Sequence, residues 1–258
     1  KPVPVGEKTP TGELINGAHE NDLNQTITRT INVTMPDGKT QAITQTAKLY
    51  RDASYDDVTG EVSYGQWSTT SWNEFIPAAI KGYTPSESAV PAVEVTAGQK
   101  DETINITYLA NEQSGVISYR DETGKEIGTT PISGKTGETI AIKPEAPAGW
   151  QLVPGQQLPQ TVTATADGIL TITVKVEHRT IVVTPETPAA DTPTGKVPGD
   201  PSKNYQTMEQ LTVTPTRTIK VKYPDGQEQS IVQKVTFTRN AIYDEVTGEI
   251  KYTDWLAQ

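Results

Sequence analysis

Few residues of this sequence have both the type and the spacing that catalysis requires. Its two histidines, His19 and His178, stand in no recognisable motif with a nucleophile, and cysteine is absent. The segment 134–137 (GKTG) resembles a phosphate-binding loop, but its spacing is wrong for one, and a turn between strands explains it. We therefore predict a protein that is not an enzyme and that needs no cofactor.

One group of acidic residues could bind a metal ion. Asp52, Asp56, Asp57 and Glu61 lie close together in the sequence, and Ca²⁺ is held by several oxygen ligands. Their spacing differs from that of the helix-flanked calcium loop, and the alternative is a solvated hairpin tip. A calcium site predicts a melting temperature that rises when Ca²⁺ is added.

Aromatic side chains are the other candidates for a binding site, because amphipathic rings are common at binding surfaces and can stack on sugars. Only 6% of the residues are aromatic, so the alternative role of each ring is to anchor a core. We assign Trp67 to the core. We take Tyr83, Trp150 and Trp72 as candidate ligand-binding residues.

The composition limits the class of protein. A net charge of -10 and an isoelectric point near 4.8 argue against nucleic-acid binding, which requires clustered Lys and Arg. No apolar run approaches the roughly 18 to 20 residues of a membrane-spanning helix. A hydrophobic content of 34% in 258 residues favours two or three small domains of β-sheet over one large core.

The strongest signal is an internal repeat. The 39 residues from Arg29 to Trp67 align without a gap to those from Arg217 to Trp255, and 20 of these 39 positions are identical. Both copies contain a Pro-Asp-Gly turn, in which proline presets φ and glycine accepts a positive φ. Both also contain a Val-Thr-Gly turn further on. The repeat therefore predicts two copies of one fold.

Apolar and polar residues alternate between these turns, which predicts strands. The residues expected to share a face are Ile31, Val33 and Met35 in a first strand and Ile43, Ala47 and Leu49 in a second. After Trp67, the cap-like Ser71 and the apolar residues that follow it predict one or two helical turns before Pro77.

These signals divide the chain into five segments. Residues 184–205 are rich in proline and have little to bury, which predicts a semi-extended linker, and residues 1–23 share the motif TPTG with it and are predicted to be the equivalent linker. Residues 24–110 form a first module, and residues 111–183 form a second. Residues 206–258 repeat only the start of the first module, so we expect an open sheet of lower stability there.

Several of these motifs resemble the mucus-binding repeats (Mub/MucBP) of lactobacilli and related Gram-positive bacteria. In the first module the resemblance rests on RTI at 29–31, the turn at 59–60 and GYTP at 82–85. In the second module it rests on the turn at 134–137 and on PAGWQLV at 147–153, where a tryptophan replaces the tyrosine that is usual in the family. The resemblance covers nearly the whole chain.

The resemblance implies a fold and a function. Each module is expected to be a ubiquitin-like β-grasp, mainly β with little helix, in an elongated tandem array. The implied protein is a secreted adhesin repeat, anchored to a Gram-positive cell wall, that acts as a monomer within a longer array and binds mucin or other host glycoproteins. The alternatives are an immunoglobulin-binding module and a structural stalk that projects a distal adhesive domain.

Overall fold

The computed structural model describes residues 2–258, which form short β-strands almost throughout. Among these residues helix is confined to α1 (Glu20–Leu23) and a 3₁₀ turn (Ala189–Asp191), and neither has the length or hydropathy to cross a membrane. The chain divides into two compact units. The first contains residues 2–113, 134–138 and 163–168, and the second contains residues 114–133, 139–162 and 169–258.

The described residues of the first unit are organised around a mixed sheet. Its strands in chain order are β1 (Pro2–Val3), β2 (Asn24–Thr34), β3 (Thr40–Tyr50), β4 (Ala53–Tyr55), β5 (Val62–Tyr64), β6 (Thr70–Trp72), β7 (Tyr83–Pro85), β8 (Val93–Val95) and β9 (Glu102–Ala110). Four of them form a sheet in the order β3-β2-β9-β7. In this sheet β2 is antiparallel to β3 and parallel to β9.

The alternation predicted for the first two long strands is confirmed. In β2, Ile31 and Val33 are buried and pack with Ile106 of β9. The other residues predicted for this face are buried in, or packed against, the two cores of the sheet: Met35, Ile43, Ala47 and Leu49. Burying a branched aliphatic side chain stabilises a fold by about 1.5–3 kcal/mol, so this face fixes the register of the sheet.

The second unit repeats the topology of the first. Its strands are β10 (Glu112–Arg120), β11 (Glu126–Lys135), β12 (Thr139–Ala141), β13 (Trp150–Leu152), β14 (Thr161–Thr163), β15 (Ile172–His178), β16 (Thr180–Val183), β17 (Lys196–Val197), β18 (Asp200–Asn204), β19 (Thr212–Val213), β20 (Thr216–Lys222), β21 (Glu228–Lys234), β22 (Phe237–Thr238), β23 (Ala241–Asp244), β24 (Ile250–Tyr252) and β25 (Leu256–Ala257). The order β11-β10-β15-β13 again places parallel strands at the centre. Both sheets therefore have the ubiquitin-like β-grasp arrangement, without a helix packed across them in the described residues.

Both segments predicted to be semi-extended linkers are folded, so that part of the prediction was wrong. Val3 of β1 pairs with Ala53 of β4 and shares a small core with Ile15 and Leu23. In the other segment β17 and β18 form a hairpin, and Val197 is 0% exposed. The first segment is anchored because β4 offers an unpaired edge to the passing chain. The second is anchored by Val197, whose side chain lies against Gly248.

The helical turns predicted at Ser71–Ile76 are also absent. Thr70–Trp72 is β6, which is antiparallel to β8, and Phe75 bridges Val90. A helix of one or two turns leaves most of its terminal amides and carbonyls without partners, whereas strand pairing satisfies them beside the core. Pairing with β8 therefore prevails over the local helical pattern.

The two copies of the repeat share one local substructure. The hairpins β4-β5 and β23-β24 have the same pairing. Arg51 lies 3.6 Å and 4.7 Å from the ring centroids of Tyr64 and Trp67. Arg239 lies 4.0 Å and 4.6 Å from the corresponding rings of the second copy. The recurring tryptophan thus has a structural role as a partner of an arginine.

The long hairpins of the two copies differ in their surroundings. β2 and β3 lie within a four-stranded sheet, whereas β20 and β21 pair only with each other among the described residues. Ile31 is 0% exposed, but its counterpart Ile219 is 36% exposed. The described residues contain no second counterpart of β9, so the apolar face of the β20-β21 hairpin is uncovered.

Candidate ligand-binding site

The predicted calcium site does not form among the described residues. Asp56 instead caps its own turn, since its Oδ1 accepts hydrogen bonds from the amides of Val58 at 2.8 Å and Thr59 at 3.1 Å. These two bonds lower the pKa of the exposed Asp56 carboxyl. Asp52, Asp57 and Glu61 do not converge with it, and no group of three His, Asp or Glu side chains in residues 2–258 is placed to hold a metal ion. We call residues 56–61 the first acidic turn and residues 244–249 the second.

The groups considered for catalysis are held in turns and hydrogen bonds of the fold. The segment 134–137 is a turn at the end of β11, in which the Thr136 hydroxyl donates to the carbonyl of Gly82 at 2.8 Å. His19 precedes α1, and its amide donates to Asp22. His178 Nδ1 lies 2.8 Å from Oδ2 of Asp244.

Two of the three candidate aromatic residues are poorly placed to receive a ligand. Trp72 is 1% exposed and packs with Ile27 and Leu49 in the core of the first unit. Tyr83 is half-buried in β7, and its hydroxyl lies beside the turn at Gly137. Trp72 therefore presents no ring face to the surface, and Tyr83 presents only part of one.

Trp150 lines a cleft in the second unit. In β13 it is paired with His178 of β15, and the two rings meet edge to face with centroids 4.7 Å apart. The cleft has a volume of about 320 Å³. Its lining combines this indole with short apolar and charged side chains: Lys125, Glu126, Ile127, Gly199, Asp200, Lys203, Val246 and Thr247. Trp150 is therefore the candidate that we place in a cleft.

Charged side chains of both signs line the same cleft as the indole. Lys203 Nζ lies 3.2 Å from Oδ2 of Asp200. The hydroxyl of Ser202 and then Lys203 hold the pKa of the Asp200 carboxyl below its usual range. An apolar ring face ringed by donors and acceptors is the composition of pockets that bind small polar molecules. The cleft can therefore pack against the apolar face of a sugar ring and exchange hydrogen bonds with its hydroxyls.

Behind the cleft the second module packs on the residues that follow it. We call this contact the module junction. Arg179 forms an ion pair with Glu245, which is only 3% exposed, and the hydrogen bond to Glu245 raises the pKa of the Arg179 guanidinium. The Glu245 amide donates to the carbonyl of Arg179 at 3.0 Å. Burial raises the pKa of Asp244, but hydrogen bonds from His178 and two backbone amides outweigh it and leave that pKa lowered.

Sequence reasoning proposed Trp150 as a binding residue but did not identify its surroundings. His178 was considered only as a catalytic group, and Asp200 and Lys203 were placed in a linker. Their proximity depends on the pairing of Trp150 with His178 across β13 and β15, a register that no local motif specifies. The signal that could have suggested the junction is the pair of glycines at 149 and 199.

Gly149 offers a direct test of the junction. A side chain on Gly149 would place its Cβ 2.5 Å from the amide nitrogen of Gly199 and 2.6 Å from the carbonyl oxygen of Glu245. Gly149→Ala is therefore expected to destabilise the second unit by about 1–3 kcal/mol more than Gly155→Ala, as measured by urea denaturation. Gly155 has a similar φ of +74° but nothing within 4 Å, so it reports the backbone cost alone. Equal losses in the two variants would show that the junction is not closely packed.

The fold and the site together define a class. Two β-grasp sheets in tandem, a repeated hairpin substructure and an aromatic cleft describe a modular β-repeat protein. The chain belongs to the family of Muc B2-like domains, whose model matches residues 18–112 and again residues 206–258. This finding confirms the resemblance to mucus-binding repeats that the sequence motifs indicate.

Solved structures resemble parts of the chain. The mucin-binding domain of Spr1345 from Streptococcus pneumoniae is 32% identical over 33% of this chain and 89% of its own, with a TM-score of 0.31. The MucBP domain of an adhesion protein from Pediococcus pentosaceus is 30% identical over 34% and 99%, with a TM-score of 0.26. The type 2 repeat of the mucus binding protein MUB from Lactobacillus reuteri is 25% identical over 43% and 58%, with a TM-score of 0.30. No curated protein matches in sequence.

Proposed function

We propose that this chain is a non-catalytic adhesin repeat, displayed outside a Gram-positive bacterium, that binds glycans of mucin or other host glycoproteins. Membership in the Muc B2-like family supports the adhesive role. The chain has a net charge of -10 and no cluster of basic residues. Electrostatic repulsion therefore favours a glycan without net charge over a polyanion as the partner.

The Trp150 cleft is the observation that carries this proposal. Its indole is partly accessible and packs edge to face on His178. Because the indole is already ordered, stacking of a sugar ring on it costs little additional side-chain entropy. The Asp200 and Lys203 side chains stand at the rim, where they can accept from and donate to hydroxyl groups. One such cleft is a weak site, and repetition along an array raises the overall avidity.

Retention on immobilised mucin tests the proposal. We expect the intact chain to be retained, and Trp150→Ala to weaken retention by about tenfold, which corresponds to the loss of about 1.4 kcal/mol. The matched control is Trp255→Ala, since Trp255 is 39% exposed but lies outside the cleft. Equal melting temperatures for Trp150→Ala and the intact chain would show that the loss is one of binding.

Deglycosylated mucin separates the competing functions. Glycan recognition predicts that removing the glycans abolishes retention. Retention that survives this treatment and is lost to soluble antibody would support an immunoglobulin-binding module instead. No retention of the intact chain on either form of mucin would support a structural stalk.

A further inference from the structure

The two acidic turns have the same conformation but different surroundings. In the second turn, Oδ1 of Asp244 accepts from the amides of Val246 at 2.8 Å and Thr247 at 2.9 Å. This is the arrangement already described for Asp56 in the first turn. The two turns therefore present equivalent surfaces, and any difference between them comes from what packs on them.

Only the second acidic turn is covered. Its Glu245 is buried, and its glycine, Gly248, is buried as well. The corresponding residues of the first turn, Asp57 and Gly60, are exposed, and Val58 is 94% exposed. Within residues 2–258 the Asp57 carboxylate has no ion-pair partner. An exposed apolar side chain beside an unpaired carboxylate is typical of a protein interaction site.

Two segments cover the second turn. Val197 and Asn204 lie against Gly248, and the end of the second module contacts the acidic residues. The end of the second module supplies Arg179 to Glu245 and His178 to Asp244. The chain then continues directly into β16, whose Val183 pairs with Ala241. This contact belongs to the module junction.

The strand slot beside the first turn is filled in the same way. Val3 of β1 pairs with Ala53, as Val183 pairs with Ala241. Residues that immediately precede β1 would therefore pass over the first acidic turn, as residues 178 and 179, which precede β16, pass over the second. The contacts of Arg179 and His178 at the second turn therefore provide a template for the position and charge of a partner at the first turn.

We propose that the first acidic turn is a docking surface for a second copy of the second module, residues 114–180, joined in the same chain ahead of β1. The Arg179 of that copy pairs with Asp57, and its His178 pairs with Asp56. Asp57 is one methylene shorter than Glu245, and the long side chain of arginine can span the difference. The contact joins successive repeats into a stiff unit, and it is independent of whether the repeats bind glycans.

An extended chain tests this proposal. A copy of residues 111–180 is placed ahead of the intact 258-residue protein, which keeps the spacing from Arg179 to the paired valine unchanged. In the junction the Glu245 amide donates to the carbonyl of Arg179, so the amide of Asp57 gains the same partner. We expect about tenfold slower exchange of the Asp57 amide with deuterium, together with shifted methyl signals of Val58, in nuclear magnetic resonance spectra.

Charge reversal provides the control. Asp57→Arg in the extended chain is expected to return the Val58 methyl signals to their positions in the unextended protein. Arg179→Glu in the added copy is then expected to restore the shift. The turn at Asp121, far along the sequence from this contact, reports whether the added copy is folded. Val58 signals and Asp57 exchange that are unchanged by the extension would overturn the proposal, as would a shift that survives Asp57→Arg.

Discussion

Replacing Arg29 by alanine is expected to lower the free energy of unfolding of the first unit by about 3 kcal/mol. Arg29 is 1% exposed, and its guanidinium donates to Oε1 of Gln45 at 2.9 Å and to the carbonyls of Pro91 at 3.0 Å and Asn73 at 2.8 Å. It also lies 5.2 Å from the centroid of the Trp72 ring. Alanine removes the donor to three partly buried hydrogen bonds and opens a cavity beside the buried Trp72 ring.

The measurement is urea denaturation followed through the amide signals of β2. Arg29→Lys is expected to recover little of the loss, because one ammonium group cannot reach three acceptors that a planar guanidinium spans. The matched control is Arg217→Ala in the second copy. Arg217 is exposed, and its side chain bonds only to Gln233, so a change within about 0.5 kcal/mol is expected. Equal losses at the two arginines would contradict the assigned environments.

Amide exchange is expected to be about a thousandfold slower in β2 than in β20. β2 lies between β3 and β9 in a four-stranded sheet, whereas β20 pairs only with β21 among the described residues, in a hairpin with exposed Ile219 and Ile231. A lone two-stranded hairpin is marginally stable in water. Its amides therefore open locally, while those of β2 open only when the whole unit unfolds.

The repeat itself supplies the control for this comparison. Thr30 and Ile31 have the same preceding residues as Thr218 and Ile219, so their intrinsic exchange rates are close. A difference in protection between them therefore reports structure alone. Protection factors within tenfold of each other would mean that another contact stabilises the second hairpin.

Local patterns predicted the elements of this fold well. The turn at Pro36 and the alternating faces of β2 and β3 are encoded by residues close together in the sequence, and the structure contains them. The ungapped repeat also predicted correctly that hairpins would recur. Each of these features depends on backbone preference and the side-chain period of a strand, which are local properties.

Features that depend on distant partners were not predictable in this way. Arg29 and Arg217 occupy the same position in the repeat, but only Arg29 is buried, because the carbonyls of Asn73 and Pro91 come from segments that have no second counterpart among the described residues. The cleft at Trp150 likewise needs residues from β17-β18 and the second acidic turn. The proline-rich segment was misjudged because its composition is that of a linker, while two of its apolar residues, the buried Val197 and the partly buried Tyr205, anchor it.

The parallel pairing at the centre of each sheet also determines how the protein responds to tension. Neighbouring parallel strands that are pulled from opposite ends slide along each other, so their hydrogen bonds share the load, whereas a hairpin pulled at its open end breaks one bond after another. Six residue pairs, from Arg29 with Glu102 to Thr34 with Thr107, link β2 to β9. Four pairs, from Ile117 with Ile172 to Arg120 with Lys175, link β10 to β15. Under tension the second sheet is therefore expected to unfold at a lower force than the first.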